Sequence, residues 1–176
     1  MIVRALFAAL AAVALASSAS AQTAELKVGD ATPDFSLHAS DGKTYKLSDF
    51  KGKRAVVVAW FPKAFTQGCT IECKSLAENG HLIKKYEATY FMASVDPLED
   101  NKKFGAEYKA DFPLLSDPTK EVATRYGVLN QRGMANRWTF YIGKDGKILA
   151  IDKEVKPATS AEDMASKLGE LGVPSR

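Results

Sequence analysis

The chain reads as short apolar runs of two kinds, some continuous or alternating and some recurring at helical spacing, punctuated by Gly, Pro and Asp-Gly. Between Lys27 and Ser48 two extended pieces flank the turn signal Ser40-Asp41-Gly42 and predict an N-terminal hairpin. Ala55 to Trp60 is a continuous apolar run rich in β-branched residues, the pattern of a central strand covered on both faces. A loop from Phe61 to Gly68 leads to a helix over Cys69–Tyr86, whose core stripe is Cys69, Cys73, Leu76, Gly80 and Ile83. The pattern goes on to predict a strand over Tyr90–Val95, a helix over Leu98–Lys109, a short strand at Leu114-Leu115 and a helix over Lys120–Tyr126. Trp138 to Ile142 turns through Lys144-Asp145-Gly146 into Ile148 to Asp152, an antiparallel hairpin, and a last helix covers Ala161–Leu171. Strands alternating with helices place the chain in the α/β class, and the terminal hairpin makes the sheet mixed.

This order matches a thioredoxin-like fold: a mixed central sheet flanked by helices, with an N-terminal hairpin. Residues 1 to 21 stand apart. A single charge at Arg4 precedes an apolar run from Ala5 to Ala16, and the small-residue triplet Ala19-Ser20-Ala21 follows before Gln22. This is the pattern of a secretory signal peptide, and the run falls short of the about 20 apolar residues that a membrane span needs. The expectation is a leader over residues 1–21 and one domain over residues 22–176, periplasmic or secreted, with no membrane association once the leader is cleaved. Cleavage removes Arg4 and lowers the formal charge from +3 to +2. So small a charge, with Lys and Arg interleaved with Asp and Glu, argues against a nucleic-acid partner.

Cys69 and Cys73 are the only cysteines, and export places them where disulfides form and persist. A structural staple is the plain alternative, but a bridge closing so short a loop gains little chain entropy, and a domain of this size does not require one. Chemistry is the better reading of the pair. Cys69 follows Gly68 at the expected helix start, where free backbone N–H groups and the positive end of the helix dipole favour thiolate over thiol. A buried core cysteine is the competing reading.

Pro62-Lys63-Ala64-Phe65-Thr66-Gln67-Gly68-Cys69 resembles the active-site pattern of the peroxiredoxin family: a proline, three residues, Thr or Ser, two residues and the peroxidatic cysteine. Val28 to Phe35 resembles the family's N-terminal segment, and Phe112 to Pro118 followed by Tyr126-Gly127-Val128 resembles the stretch after its third strand. Arg137-Trp138-Thr139-Phe140 is similar to the start of the strand that brings an arginine against the cysteine. Gly68-Cys69-Thr70-Ile71-Glu72 looks like the bacterioferritin-comigratory branch. The resemblance implies a thioredoxin-like fold and thiol-dependent reduction of hydrogen peroxide or organic hydroperoxides at Cys69, with no metal or cofactor. It implies a thioredoxin-like or other thiol reductant and a monomer or weak dimer. Within the site it implies that the Thr66 hydroxyl hydrogen-bonds the thiolate and the peroxide, and that Pro62 shields the sulfur from water. The arginine's role carries to Arg137, with Arg132 as a rival; a guanidinium stays charged and offers a fork of donors to a thiolate and a polarised O–O bond.

Cys73 lies four residues after Cys69, where the branch often places the second cysteine five residues on. Helical residues four apart hold their Cβ atoms about 5–6 Å apart, whereas a disulfide wants about 3.5–4.5 Å, so the first turns must loosen before the sulfurs join. The implied route is a sulfenic acid at Cys69, an unwound helix start, and condensation with Cys73 to an intramolecular disulfide. If Cys73 is only a packed core thiol, an external thiol reduces Cys69 directly. A reading from another class is an exported Cu(I) chaperone on the same fold, because soft thiolates suit Cu(I). It needs a distal histidine near the late strand, where this chain has Arg137, and the only histidines are His38 and His81. A dithiol-disulfide reductase would want Cys-x-x-Cys and a proline before the late strand, which the chain lacks. Trp60, Phe61, Phe65 and Trp138 gather in sequence around the site, as an apolar collar or as ordinary core.

Overall fold

The computed structural model describes residues 25–176, so the leader expected over residues 1–21 lies outside the described residues. Its strands are β1 (Ser36–Ala39), β2 (Thr44–Lys46), β3 (Ala55–Trp60), β4 (Ala88–Ser94), β5 (Leu114–Ser116), β6 (Thr139–Ile142) and β7 (Ile148–Asp152). The helices are α1 (Gln67–Asn79), α2 (Leu98–Glu107), α3 (Glu121–Arg125) and α4 (Ser160–Glu170). The strands form one mixed sheet in the order β2-β1-β5-β4-β3-β6-β7. β3 runs parallel to β4 and β4 to β5, while β1, β2, β6 and β7 join antiparallel. The N-terminal hairpin is thus part of the main sheet, its β1 pairing with β5 through Ala39 and Leu115.

The apolar run of β3 is central for the reason its sequence suggests. All six of its residues are buried, and alternate side chains enter two separate cores. Ala55, Val57 and Ala59 face α1, α2 and α4, together with Cys69, Cys73, Leu76, Phe104, Met164 and Leu168. Val56, Val58 and Trp60 face α3 and the N-terminal segment, with Phe35, Leu37, Val122, Tyr126 and Phe140. Each fully buried Val contributes about 1.5–3 kcal/mol relative to exposure, enough to explain why a strand with no polar face occupies the middle of the sheet.

The first helix departs from expectation at both ends. It begins at Gln67, two residues before Cys69, and it ends at Asn79 rather than running to Tyr86. Gly80 follows it at a point where a side chain would collide with the Tyr90 hydroxyl rising from β4; a tight turn over Ile83–Lys85 then returns the chain to the sheet. The expected stripe nonetheless faces the core, with Cys69, Cys73, Leu76 and Ile83 all at 0% exposure. The other elements differ by one or two terminal residues. Among them, Lys120 adopts the left-handed conformation (φ 64°) before α3 and so stays outside it.

Candidate active site

Beyond Trp60 the chain leaves the sheet at the carboxyl ends of β3 and β4, where parallel strands open a crevice suited to a site. Phe61 continues the pairing through its N–H to Ala93 O at 2.9 Å. Asp96, just past β4, then accepts the buried Ala64 N–H at 2.9 Å and pins the loop between Pro62 and Thr66. Phe65 takes a positive φ of 64°, unusual for a bulky residue, and its half-exposed ring meets Phe104 edge-on with centroids 5.2 Å apart. Strain of this kind persists only where surrounding contacts hold it.

Thr66 caps α1 with extended backbone (φ −83°, ψ 154°), and its carbonyl accepts the first helical N–H, from Thr70, at 2.9 Å. The N–H groups of Gln67, Gly68 and Cys69 therefore have no intrahelical partner and point out of the helix start. Cys69 is the third helical residue rather than the first. The Thr66 hydroxyl donates to Lys63 O at 2.8 Å and not to the sulfur, so the expected bond to Cys69 is not made in this conformation. With its proton committed, Thr66 Oγ1 offers acceptor lone pairs only. Pro62 is half-buried at the head of the same loop.

Arg137 reaches the cysteine. Trp60 N–H bonds Trp138 O at 2.9 Å and Ala59 pairs with Thr139, so the residue before Trp138 lies beside the end of β3. Its Nη2 donates to Cys69 Sγ at 3.2 Å, while Nη1 pairs with Glu72 Oε2. Gly68 makes room, since a Cβ there would sit 3.0 Å from Nη2. Arg132 is exposed in the turn after Asn130, and the guanidinium that meets Cys69 is that of Arg137.

Glu72 was not among the residues expected from sequence. It is a carboxyl with no solvent exposure, held by Arg137 and, at 3.4 Å, by the Ser160 hydroxyl at the start of α4. Burial raises its pKa above the usual carboxylate range, and Arg137 and Ser160 act against that rise. Desolvation alone would lower the pKa of Arg137, but the charges of Glu72 and Cys69 outweigh it and hold the guanidinium above its ordinary value. The position of Glu72, three residues after Cys69, sets it beside the stripe that enters the core.

Cys73 is a free thiol in the apolar core, as is Cys69. Burial, reinforced by Glu72 and Cys69, pushes the Cys73 pKa up to about 12, so it is a neutral thiol while α1 is intact. The four aromatic residues do not form one collar. Phe61 stacks on Phe104 on the cysteine side, whereas Trp60 packs against Tyr126 on the opposite face and Trp138 lies under Lys153. Among the described residues no group of three His, Cys, Asp or Glu side chains is placed to hold a metal ion, so neither histidine joins Cys69 and Cys73 as the third ligand a copper site of that kind needs. His38 instead hydrogen-bonds Thr44 across the first hairpin.

The family model of the AhpC/TSA family matches residues 28–151. The chain belongs to the AhpC/TSA family. It is 36% identical over 130 residues to Peroxiredoxin Bcp of Escherichia coli, a match covering 70% of this chain and 83% of that protein. It is 34% identical over 126 residues to Alkyl hydroperoxide reductase E of Mycobacterium bovis, covering 70% and 82%. The crystal structure of peroxidoxin BcpB from Mycobacterium tuberculosis superposes with a TM-score of 0.75 at 30% identity, over 83% of this chain and 98% of that one. The chain is therefore a thiol-dependent peroxidase of the bacterioferritin-comigratory branch, on the thioredoxin-like fold. None of the described helices is long and apolar enough to cross a membrane.

Proposed function

We propose that Cys69 is the peroxidatic residue of this peroxidase and Cys73 its resolving partner. The observation that carries the reading is the Arg137 fork, one nitrogen on Cys69 Sγ at 3.2 Å and the other on buried Glu72. A peroxide entering over the helix start meets the free N–H groups of Gly68 and Cys69, the guanidinium, and the acceptor lone pairs of Thr66. The Cys69 thiolate attacks one peroxide oxygen. The S–O bond forms as the O–O bond breaks, and the departing oxygen takes up a proton and leaves as water or an alcohol, with Arg137 facing the developing charge. Pro62 helps keep bulk water from the sulfur.

The first turns of α1 then unwind, exposing Cys73. Its thiol attacks the sulfenic sulfur of Cys69, forming the disulfide and releasing water. A thioredoxin-like or other external dithiol restores both thiols by exchange, becoming oxidised itself. The leader pattern supports the periplasm or the exterior as the place of action.

The test is mass analysis after one equivalent of hydrogen peroxide. The expected products are an intramolecular disulfide in the unaltered chain, a trappable sulfenic acid on Cys69 in Cys73→Ser, and no modification in Cys69→Ser. A stable Cys69 sulfenic acid with no disulfide in the unaltered chain would remove Cys73 from the cycle and leave direct reduction by an external thiol.

A further inference from the structure

The N-terminus of α4 is bound side-on to α1 at three levels, all within or just after the segment that carries the two cysteines. Ser160, 2% exposed, donates to Glu72 Oε1 at 3.4 Å. The Ala161 N–H, one of the α4 donors with no intrahelical partner, is satisfied by Ser75 Oγ at 3.2 Å in a buried contact. Asn79 Nδ2 donates to Glu162 Oε1 at 2.8 Å at the end of α1. Ala161, Met164 and Leu168 close the gap by packing in the same core as Cys73 and Leu76.

These contacts differ in what disulfide formation demands of them. Glu72 lies between the two cysteines, so any unwinding that joins Cys69 to Cys73 must carry it away from Ser160 and Arg137. Ser75 and Asn79 lie beyond Cys73, and their bonds to α4 can remain. We propose that the start of α4 is a latch on α1, in which the Ser160 bond to Glu72 resists opening and the Ser75 and Asn79 bonds stop the unwinding just past Cys73. This rests on the reading of Cys73 as the resolving residue. The consequence is a partition of the Cys69 sulfenic acid. When α1 opens, Cys73 displaces water from it to give the disulfide. While α1 stays closed, a second peroxide molecule oxidises it to sulfinic acid and leaves as water or an alcohol. Latch strength sets the ratio. In the closed state Cys73 is also buried and protonated, so opening supplies both access and a thiol able to ionise.

The experiment is stopped-flow oxidation of the full reduced chain by hydrogen peroxide, resolving sulfenic acid formation from disulfide closure, in the unaltered protein, Ser160→Ala and Ser160→Thr. Loss of this hydrogen bond, long at 3.4 Å but made to a carboxylate, should speed closure roughly two- to fivefold in Ser160→Ala and lower the sulfinic fraction at excess peroxide to match. Ser160→Thr, which keeps the hydroxyl, should restore the slower closure. Equal closure rates in all three would overturn the latch while leaving Cys73 as the resolving residue. Absence of any disulfide in the unaltered chain would instead remove the reading on which the latch rests. Amide exchange in the reduced, unaltered chain gives a second test that needs no substitution. Residues 70–73 should exchange through a smaller opening than residues 75–79, whereas equal protection along α1 would contradict a stop beyond Cys73.

Discussion

Replacing Arg137 with Ala removes two interactions at once, and the structure says how to separate them. The first is the donor to Cys69 Sγ at 3.2 Å. Deleting a charged donor aimed at reacting atoms costs about 10²–10³-fold in rate, or about 2.7–4 kcal/mol. The second is the partner of Glu72, whose side chain has 0% exposure against 19% for Arg137. Breaking a buried pair by removing one member costs about 3–5 kcal/mol. That figure is an upper bound here, because Arg137 is partly hydrated and Glu72 can respond by taking up a proton. Burial already raises the Glu72 pKa in the folded state, and removing Arg137 takes away the largest opposing influence. A carboxyl raised in this way costs no stability below its unfolded value, and the cost grows as pH rises through the folded value. Arg137→Ala should therefore be more destabilised at about pH 8 than at about pH 5, read by urea unfolding at both. The double variant Arg137→Ala with Glu72→Gln discards the buried charge. It should regain most of the stability at the higher pH yet keep the slow peroxide reaction. Recovery of the rate in the double variant would refute the argument, since Arg137 would then act only as a counter-ion for Glu72.

Thr66→Val keeps the shape of the helix cap but deletes the hydroxyl acceptor at the helix start; on the proposed mechanism its second-order rate with peroxide should fall about 10- to 100-fold. Its thermal midpoint should drop by only a few degrees; an unchanged rate would leave Thr66 as a loop-closing residue. Gly68→Ala brings a Cβ to 3.0 Å from Arg137 Nη2 and should displace the guanidinium by a few tenths of an ångström. The rate should fall about tenfold with little loss of fold, as misplacement of a catalytic group does, and a crystal structure of the variant would show the Nη2 to Sγ separation lengthened.

Much of the architecture is legible because it rests on local pattern. Ala55–Trp60 has no polar face to show solvent, so only a central strand accommodates it. The stripe through Cys69, Cys73, Leu76 and Ile83 likewise predicts which side of α1 is buried. What escapes sequence reasoning depends on contacts between distant segments. Gly80, just past the end of α1, has no room for a side chain beneath the Tyr90 hydroxyl, and nothing in the run from Cys69 to Tyr86 announces that neighbour. Arg137 is reachable through its place before the late strand, but its fork becomes meaningful only with Glu72 at the other end. A carboxylate between two cysteines reads as an ordinary helix-surface charge until its partner is known. Ser160, 88 positions from Glu72, leaves no trace in the local pattern. The motif places Thr66 at the helix start, but the direction of its hydroxyl, donating to Lys63 O, is a contact that the motif does not announce.

The central claim is that Cys69 is an activated sulfur and not a packed thiol. Its most direct test is the second-order rate of the reduced chain with hydrogen peroxide, followed by stopped-flow fluorescence alongside Arg137→Ala and Cys69→Ser. The account predicts a rate orders of magnitude above that of a free thiol at the same pH, lowered about 10²–10³-fold in Arg137→Ala and absent in Cys69→Ser. A rate no faster than a free thiol, or one that survives in Cys69→Ser, would contradict it.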